Sequence, residues 1–232
     1  MLVVITGVGR EGQVGEVVAR AFAERGAMLV LVDRLADQAE ARARSLVQQG
    51  HRATPYDCDL TNAADVAALA TRVQRDHGDR LHALVNMAGG FASSGTVAEG
   101  DVDAWQRLVA INLTTAYLST RTFLPLLRTG NGAIVYFASE AALPGSRIAG
   151  MAAYAVAKVG VVTLMQAVAQ EERANGVRAN ALAPGAIRTA ANLESMGADK
   201  RYVEREDVAA AVTWLCSDDA RAVTGQVIRL QG

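Results

Sequence analysis

Short apolar runs and helix-patterned segments alternate almost from one end of this chain to the other, and that alternation most limits what it can become. Leu2 to Ile5 and Met28 to Val32 are continuous apolar runs, and Ala53 to Cys58, Leu81 to Val85, Ala133 to Phe137, Val177 to Ala183 and Gln226 to Leu230 read as further strands. A short apolar run without polar interruption suits a strand buried on both faces of a parallel sheet. Between the runs lie segments of helical character, about Gln13 to Arg25, Ala36 to Gln49, Asn62 to His77, Val102 to Leu127, Met151 to Glu172 and Glu206 to Cys216. Gly26 and Gly50 stand where helices stop, and Pro184-Gly185 breaks the sixth run. The pattern predicts an α/β fold, a doubly wound, seven-stranded parallel sheet flanked by helices. With no internal repeat, low-complexity stretch or linker, residues 1–232 read as a single domain.

Composition narrows the function classes. Hydrophobic residues make up 51% of the chain and aromatics 5%, so the core must be built from Ala, Val, Leu and Ile. A net charge of −1 gives no reason to expect nucleic acid or an anionic membrane as partner. Cys58 and Cys216 have no metal-site spacing and read as buried thiols of a reducing compartment. His51, His77 and His82 form no ligand motif, so no metal is expected. The opening apolar run is too short for a signal sequence and lacks a basic flank. No span reaches membrane length without polar interruption, and the expected location is the cytoplasm.

Two stretches carry chemistry. The first is the glycine-punctuated loop Thr6 to Gly15, with Gly7, Gly12 and Gly15, between a strand and a helix. Backbone amides and a helix N-terminus there, Val14 included, can cradle a pyrophosphate. Asp33 ends the second strand, where an acid accepts hydrogen bonds from an adenosine ribose and repels a 2′-phosphate, which favours NAD. Arg10 and Arg34 nearby leave NADP open, and the lesser alternative is Asp33 as a helix N-cap. The second stretch is Tyr154 to Lys158. Residues four apart share a helix face, so a phenol and an ammonium lie side by side. The neighbouring positive charge is expected to lower the phenol's pKa and make it a usable acid and base. Ser139 just past the fifth strand reads as an actor or a loop cap, and Asn112 as an actor or a helix-kink residue.

Taken in order, these elements resemble the short-chain dehydrogenases/reductases, the 3-oxoacyl-ACP reductases among them, over essentially the full chain. Thr6-Gly7, Gly12 and Gly15 resemble the family's cofactor loop, lengthened as in its enoyl-reductase branch. Asp59-Leu60 is similar to the family's adenine-contacting acid, and Asn86, Ala88 and Gly89 to its Asn-Asn-Ala-Gly segment, with Met87 departing from it. Asn112, Ser139, Tyr154 and Lys158 resemble its catalytic tetrad. Pro184-Gly185, Ile187 and Thr189 resemble the motif that seats the nicotinamide, although Thr189 is also a natural N-cap.

The resemblance implies a Rossmann fold and hydride transfer between NAD(P) and a ketone or secondary alcohol. Tyr154 would be the proton donor and acceptor, and Lys158 would tune it and hold the nicotinamide ribose. Ser139 would hydrogen-bond the substrate oxygen, and Asn112 would hold a water joining Lys158 to solvent. It also implies a homo-oligomer, a dimer or homotetramer, built through the helices near Asn112 and Tyr154. Ala153, Ala157, Val161 and Ala169 would suit such an interface or internal packing equally. The spacing from Ser139 to Tyr154 is long, which loosens the loop between them, and the segment from Thr189 to Glu206 is short, which opens the pocket. Glu140, Arg147, Met151 and Asn192 could line that pocket, or be solvated or packing residues. Around Thr189, Asn192 and Ser195-Met196 the chain resembles quinoid dihydropteridine reductases, which lack the serine. A dihydropterin reductase is therefore one alternative, and a non-catalytic dinucleotide-binding protein another.

Overall fold

A computed structural model describes residues 1–9 and 11–232; Arg10, weighed above beside Asp33, lies outside the described residues. Seven strands pair in one wholly parallel sheet of order β3-β2-β1-β4-β5-β6-β7. They are β1 (Leu2–Thr6), β2 (Met28–Asp33), β3 (Arg52–Asp57), β4 (Ala83–Asn86), β5 (Ala133–Phe137), β6 (Arg178–Pro184) and β7 (Val227–Leu230). The order turns back on itself between β1 and β4, so their carboxyl ends form a topological switch point, with a crevice beyond the strands. Open parallel sheets bind ligands at this switch point.

Alternation along each strand explains the two-layer core. Val4, Val30, Val32, Leu84, Ile134 and Tyr136 face one layer, while Val3, Ile5, Leu29, Leu31, Val85 and Val135 face the other. Successive side chains point to opposite faces, so an unbroken apolar run serves both. The first layer is covered by α3 (Ala63–His77), α5 (Thr115–Gly130) and α6 (Ala152–Glu171), and the second by α1 (Val14–Glu24), α2 (Ala36–Gln48) and α8 (Arg205–Leu215).

The long segment expected from Val102 resolves into α4 (Val102–Val109) and α5, joined by a π turn over Ala110–Thr114 that contains Asn112. A π turn widens the helix locally and is frequent at functional sites. A final short helix, α7 (Ala190–Met196), follows β6.

α6 bears on two expectations. It is 20 residues long with a mean hydropathy of 1.5, long and apolar enough to cross a membrane. It instead packs on β5 and β6 and contributes Val161, Met165, Val168 and Ala169 to the core. Ala153, Ala157, Val161 and Ala169 are all at most 5% exposed, so they serve internal packing. The exposed apolar positions of α6 are Val156 and Val159, at 50% and 47%.

The far ends of α5 and α6 are tied by Arg128 and Glu172. The guanidinium donates twice to the carboxylate, at 2.8 and 2.6 Å, and Asn175 donates a third bond at 2.8 Å. Glu172 is 3% exposed, and the Arg128 bonds hold its carboxyl below the usual range. A depressed folded-state value gives stability that is present above the unfolded carboxyl's pKa and lost as pH falls through the folded one. Glu172→Gln is expected to lower unfolding stability at neutral pH by about 1–3 kcal/mol, because Arg128 is half-exposed and regains water. Urea unfolding should show that deficit narrowing toward pH 3, and a constant deficit would contradict the assignment.

Candidate active site

At the switch point the glycine loop is fixed by close backbone approach. Gly7 has φ +69°, and a Cβ there would lie 2.6 Å from the Ala88 Cα, so the loops after β1 and β4 touch at this residue. Thr6 joins the same loops: its hydroxyl accepts from the Met87 and Ala88 amides at 3.2 and 3.4 Å and donates to Val85. A Cβ on Gly15 would sit 2.2 Å from the Val8 carbonyl oxygen, so Gly15 is a packing glycine. Gly12, at φ +75°, donates its amide to Glu16 at 2.7 Å. α1 starts at Val14, and Gln13 before it supplies no side-chain cap. Among the described residues the first-turn amides of α1 have no side-chain acceptor, and beside glycine backbone such a cradle fits a pyrophosphate.

Asp33 is not the N-cap of α2. That position is held by Leu35, without a side-chain bond. The Asp33 carboxylate accepts instead from Gly9 at 2.8 Å and Leu35 at 3.1 Å, which ties the glycine loop to the end of β2. Each oxygen keeps a lone pair for a further donor. Asp59 accepts from the Thr61 amide and hydroxyl at 2.9 and 2.6 Å, and these bonds lower its pKa. Leu60 is buried in the core. Asn86 donates to Thr120 at 3.1 Å, while its Oδ1 is buried and has no partner among the described residues.

Asn112, 1% exposed, clamps the loop after β4: its Oδ1 accepts from the Gly90 amide and its Nδ2 donates to the carbonyls of Gly90 and Leu108. A Cβ on Gly89 would lie 2.5 Å from Asn112 Oδ1 and 3.5 Å from Lys158 Nζ. Gly89 is thus the thin wall between Asn112 and Lys158. Lys158 is 5% exposed and donates to the Phe137 carbonyl at 2.7 Å. An ammonium has three donors, so two remain for a ligand. Burial pulls the Lys158 pKa down to about 8.

The Tyr154 phenol departs from expectation. Its pKa is raised, because burial outweighs the opposing effect of the Ser139 hydroxyl. Ser139 stands near Tyr154 without meeting full hydrogen-bond geometry, and its Oγ accepts from the Ala141 amide at 3.2 Å. Lys158 does not lower the phenol's pKa in this arrangement. Its nitrogen is turned to Phe137, 5.7 Å from the Tyr154 ring centroid. Phe91 packs edge-on against that ring, with centroids 5.2 Å apart and planes at 87°.

Tyr154 and Ser139 open on a cleft of about 620 Å³. Glu140, Arg147, Met151 and Asn192, left between lining and solvated roles above, all line it, as do Pro184 and Gly185. Neither bordering segment is loose. The long Ser139–Tyr154 connection is held by Ser93 and Ser94, which both bond the Gly150 carbonyl, and by a bridge between Gly95 and Met151. In the short segment after Thr189, the Tyr202 hydroxyl donates to the Asn192 and Gly197 carbonyls at 3.2 and 2.5 Å. Ile187 bridges to Val203 across its base. Thr189 caps α7 by accepting the Asn192 amide at 3.2 Å, which leaves its hydroxyl proton for another acceptor.

The fold thus gathers Asn112, Ser139, Tyr154, Lys158 and Gly89 at one end of the crevice and Gly7, Gly12, Val14, Asp33 and Asp59 along the carboxyl ends of β1 to β3. Gly15 and Leu60 serve packing. Sequence reasoning did not single out Phe91, Lys200 and Arg229 as cleft residues, although Phe91 and Lys200 lie in connections at the carboxyl edge of the sheet, where ligands of such folds sit. Lys200 carried one signal, since it and Lys158 are the chain's only lysines.

Comparison with known proteins agrees with this arrangement. A family model described as enoyl-(acyl carrier protein) reductase matches residues 7–232. The chain is 35% identical to 2-(S)-hydroxypropyl-CoM dehydrogenase 3 of Xanthobacter autotrophicus, over 100% of this chain and 95% of that protein. It is 35% identical to cis-4-hydroxycyclohexanecarboxylate dehydrogenase of Sinomonas cyclohexanicum, over 97% and 93% of the two chains. The solved structure of NAD+-bound xylitol dehydrogenase superposes with a TM-score of 0.91 at 26% identity, covering 100% of this chain and 97% of that one. The switch-point glycine loop, the Tyr154–Lys158 helix and these full-length matches establish that the chain belongs to the short-chain dehydrogenase/reductase family of NAD(P)-dependent oxidoreductases.

Proposed function

We propose that this chain is an NAD-linked oxidoreductase that interconverts a ketone and a secondary alcohol, with the substrate site built into the nucleotide-binding domain of residues 1–232. The observation that carries the reading is the joint placement of the Tyr154 phenol and Ser139 hydroxyl on one cleft, with Lys158 and its two spare donors buried behind them. A nicotinamide held in the crevice would supply the hydride chemistry, and the protein its binding and orientation. Tyr154 gives its proton to the carbonyl oxygen, or takes it in the oxidative direction. Ser139 donates to the same oxygen and stabilises the charge that develops there. Lys158 would hold the ribose hydroxyls with its spare donors, and Thr189 would donate to the carboxamide. Asn112 fixes the Gly89-Gly90 backbone beside Lys158 and serves the water that reconnects Lys158 with solvent. Relatives named for a hydroxypropyl compound and a hydroxycyclohexane carboxylate share a secondary hydroxyl, which supports this substrate chemistry. Ser139 at the phenol favours a ketone over a quinoid dihydropterin, for which a serine has less to do.

The Asp33 carboxylate supports NAD over NADP, since a 2′-phosphate would meet a like charge. Fluorescence titration of the purified protein is expected to give an NADH Kd at least about tenfold below that for NADPH. Equal or tighter NADPH binding would overturn the preference, and a ketone panel with the preferred cofactor tests turnover itself.

A further inference from the structure

The cleft in front of Tyr154 is positively charged in a chain whose net charge is −1. Arg147, Lys200 and Arg229 line it against a single carboxylate, Glu140. Glu140 is already engaged: Arg229 donates to it and so does Gln231. The other arginine at this edge, Arg188, is paired with Glu204 at 2.7 Å. Arg147 and Lys200 have no carboxylate partner within 4.0 Å among the described residues. Arg201, next to Lys200, lines the adjoining depression and is likewise without one. The cofactor's phosphates do not account for these cations. Gly7, Gly12 and Val14, the backbone that fits a pyrophosphate, take no part in the lining of this cleft. Cations without partners at the walls of one cleft focus their field into it and raise the local concentration of anions.

We infer that the substrate is an anionic ketone or hydroxy compound, whose reacting carbon lies at Tyr154 and Ser139 and whose carboxylate or sulfonate is held by Arg147 and Lys200. The inference rests on the oxidoreductase reading of the same cleft and adds the charge of the molecule that enters it. Arg147 is carried by the connection before α6 and Lys200 by the segment after α7, so the two cations reach the cleft from its two bordering segments. An anion long enough to span from Tyr154 to them brings both borders against one ligand. The apolar surface of Phe91 and Met151 between these ends suits a short carbon chain or ring.

The test is equilibrium binding to the NADH-loaded protein, read by calorimetry, of acid and amide pairs equal in size. Levulinate with levulinamide, a ketosulfonate of the same chain length with its sulfonamide, and an oxocyclohexane carboxylate with its carboxamide form the set. For at least one pair the acid is expected to bind about five- to tenfold more tightly, as two partly exposed ion pairs supply. That margin should shrink as salt rises from 50 to 500 mM, by about the extent that screening removes. The double variant Arg147→Gln, Lys200→Gln should bring the acid's Kd to that of its amide. If no acid outbinds its amide, or the preference survives in the double variant, the charge assignment is overturned. A preference for the carboxylate alone, or for the sulfonate alone, supports it and names the anion. Tight acid binding with no NADH consumption by any ketone would sink the oxidoreductase reading and leave the charge assignment standing.

Discussion

Replacing Tyr154 by Phe is expected to lower turnover by about 10²–10⁴-fold while leaving the NADH Kd nearly unchanged. The substitution removes one oxygen and keeps the ring. The edge-on contact with Phe91 survives, and so does the bond from Lys158 to the Phe137 carbonyl, which does not depend on the phenol. Full activity in the variant would show that another group moves the proton. The raised phenol pKa adds a directional expectation. With burial as its chief cause, the free protein keeps Tyr154 protonated through neutral pH, the form that donates to a carbonyl. Ketone reduction should then be flat across neutral pH and fall only on the alkaline side. Alcohol oxidation, which needs the phenolate as base, should rise toward alkaline pH. A reduction rate that already falls below neutral pH would mean that bound cofactor brings Lys158 into contact with the phenol, the arrangement that the four-residue spacing alone suggested.

That contrast shows what a sequence can carry. The inner sheet was legible because its strands bury both faces, and Leu2 to Ile5 lies inside β1 as it stands, whereas the edge strands β3 and β7 are only partly buried and carry polar residues. Asn112 was legible as an anomaly in a helical segment, and the π turn is its physical reason. The Tyr154–Lys158 spacing fixed a common helix face but not the rotamers. Which way an ammonium turns depends on a carbonyl, that of Phe137, supplied by a strand some twenty residues away. The cap alternative for Asp33 could not be discarded from sequence, because one of its partners, the Gly9 amide, lies 24 residues earlier in the chain. Phe91 and Lys200 come from two separate connections and Arg229 from β7, and they meet only in space, so no local pattern singled them out.

Lys158→Met is expected to abolish most turnover and yet stabilise the fold at neutral pH. The ammonium is 5% exposed, bonds one carbonyl, and has no carboxylate partner among the described residues. Its pKa falls from 10.5 to about 8, with burial as the cause. The sign follows from linkage. Between these two values the unfolded chain binds the proton more readily than the folded one, so stability rises with pH across that window. Below about pH 8 the destabilisation is at its fullest, on the order of 3 kcal/mol as an upper bound. Methionine nearly matches the shape without the charge, and it leaves the Phe137 carbonyl unpartnered, which costs about 1–2 kcal/mol. The net gain at pH 7 is then about 1–2 kcal/mol, or a few degrees in Tm for a chain of this length. Urea unfolding at pH 7 and pH 10 separates the terms. The variant should be more stable at pH 7 and lose that advantage by pH 10, where the native lysine sheds its proton on folding. NADH binding should weaken along with turnover, because the ribose loses its donors. A variant less stable at pH 7 would show that Lys158 is held as a structural group. The expected result shows instead a buried charge kept in place, against the stability of the fold, for the chemistry at Tyr154.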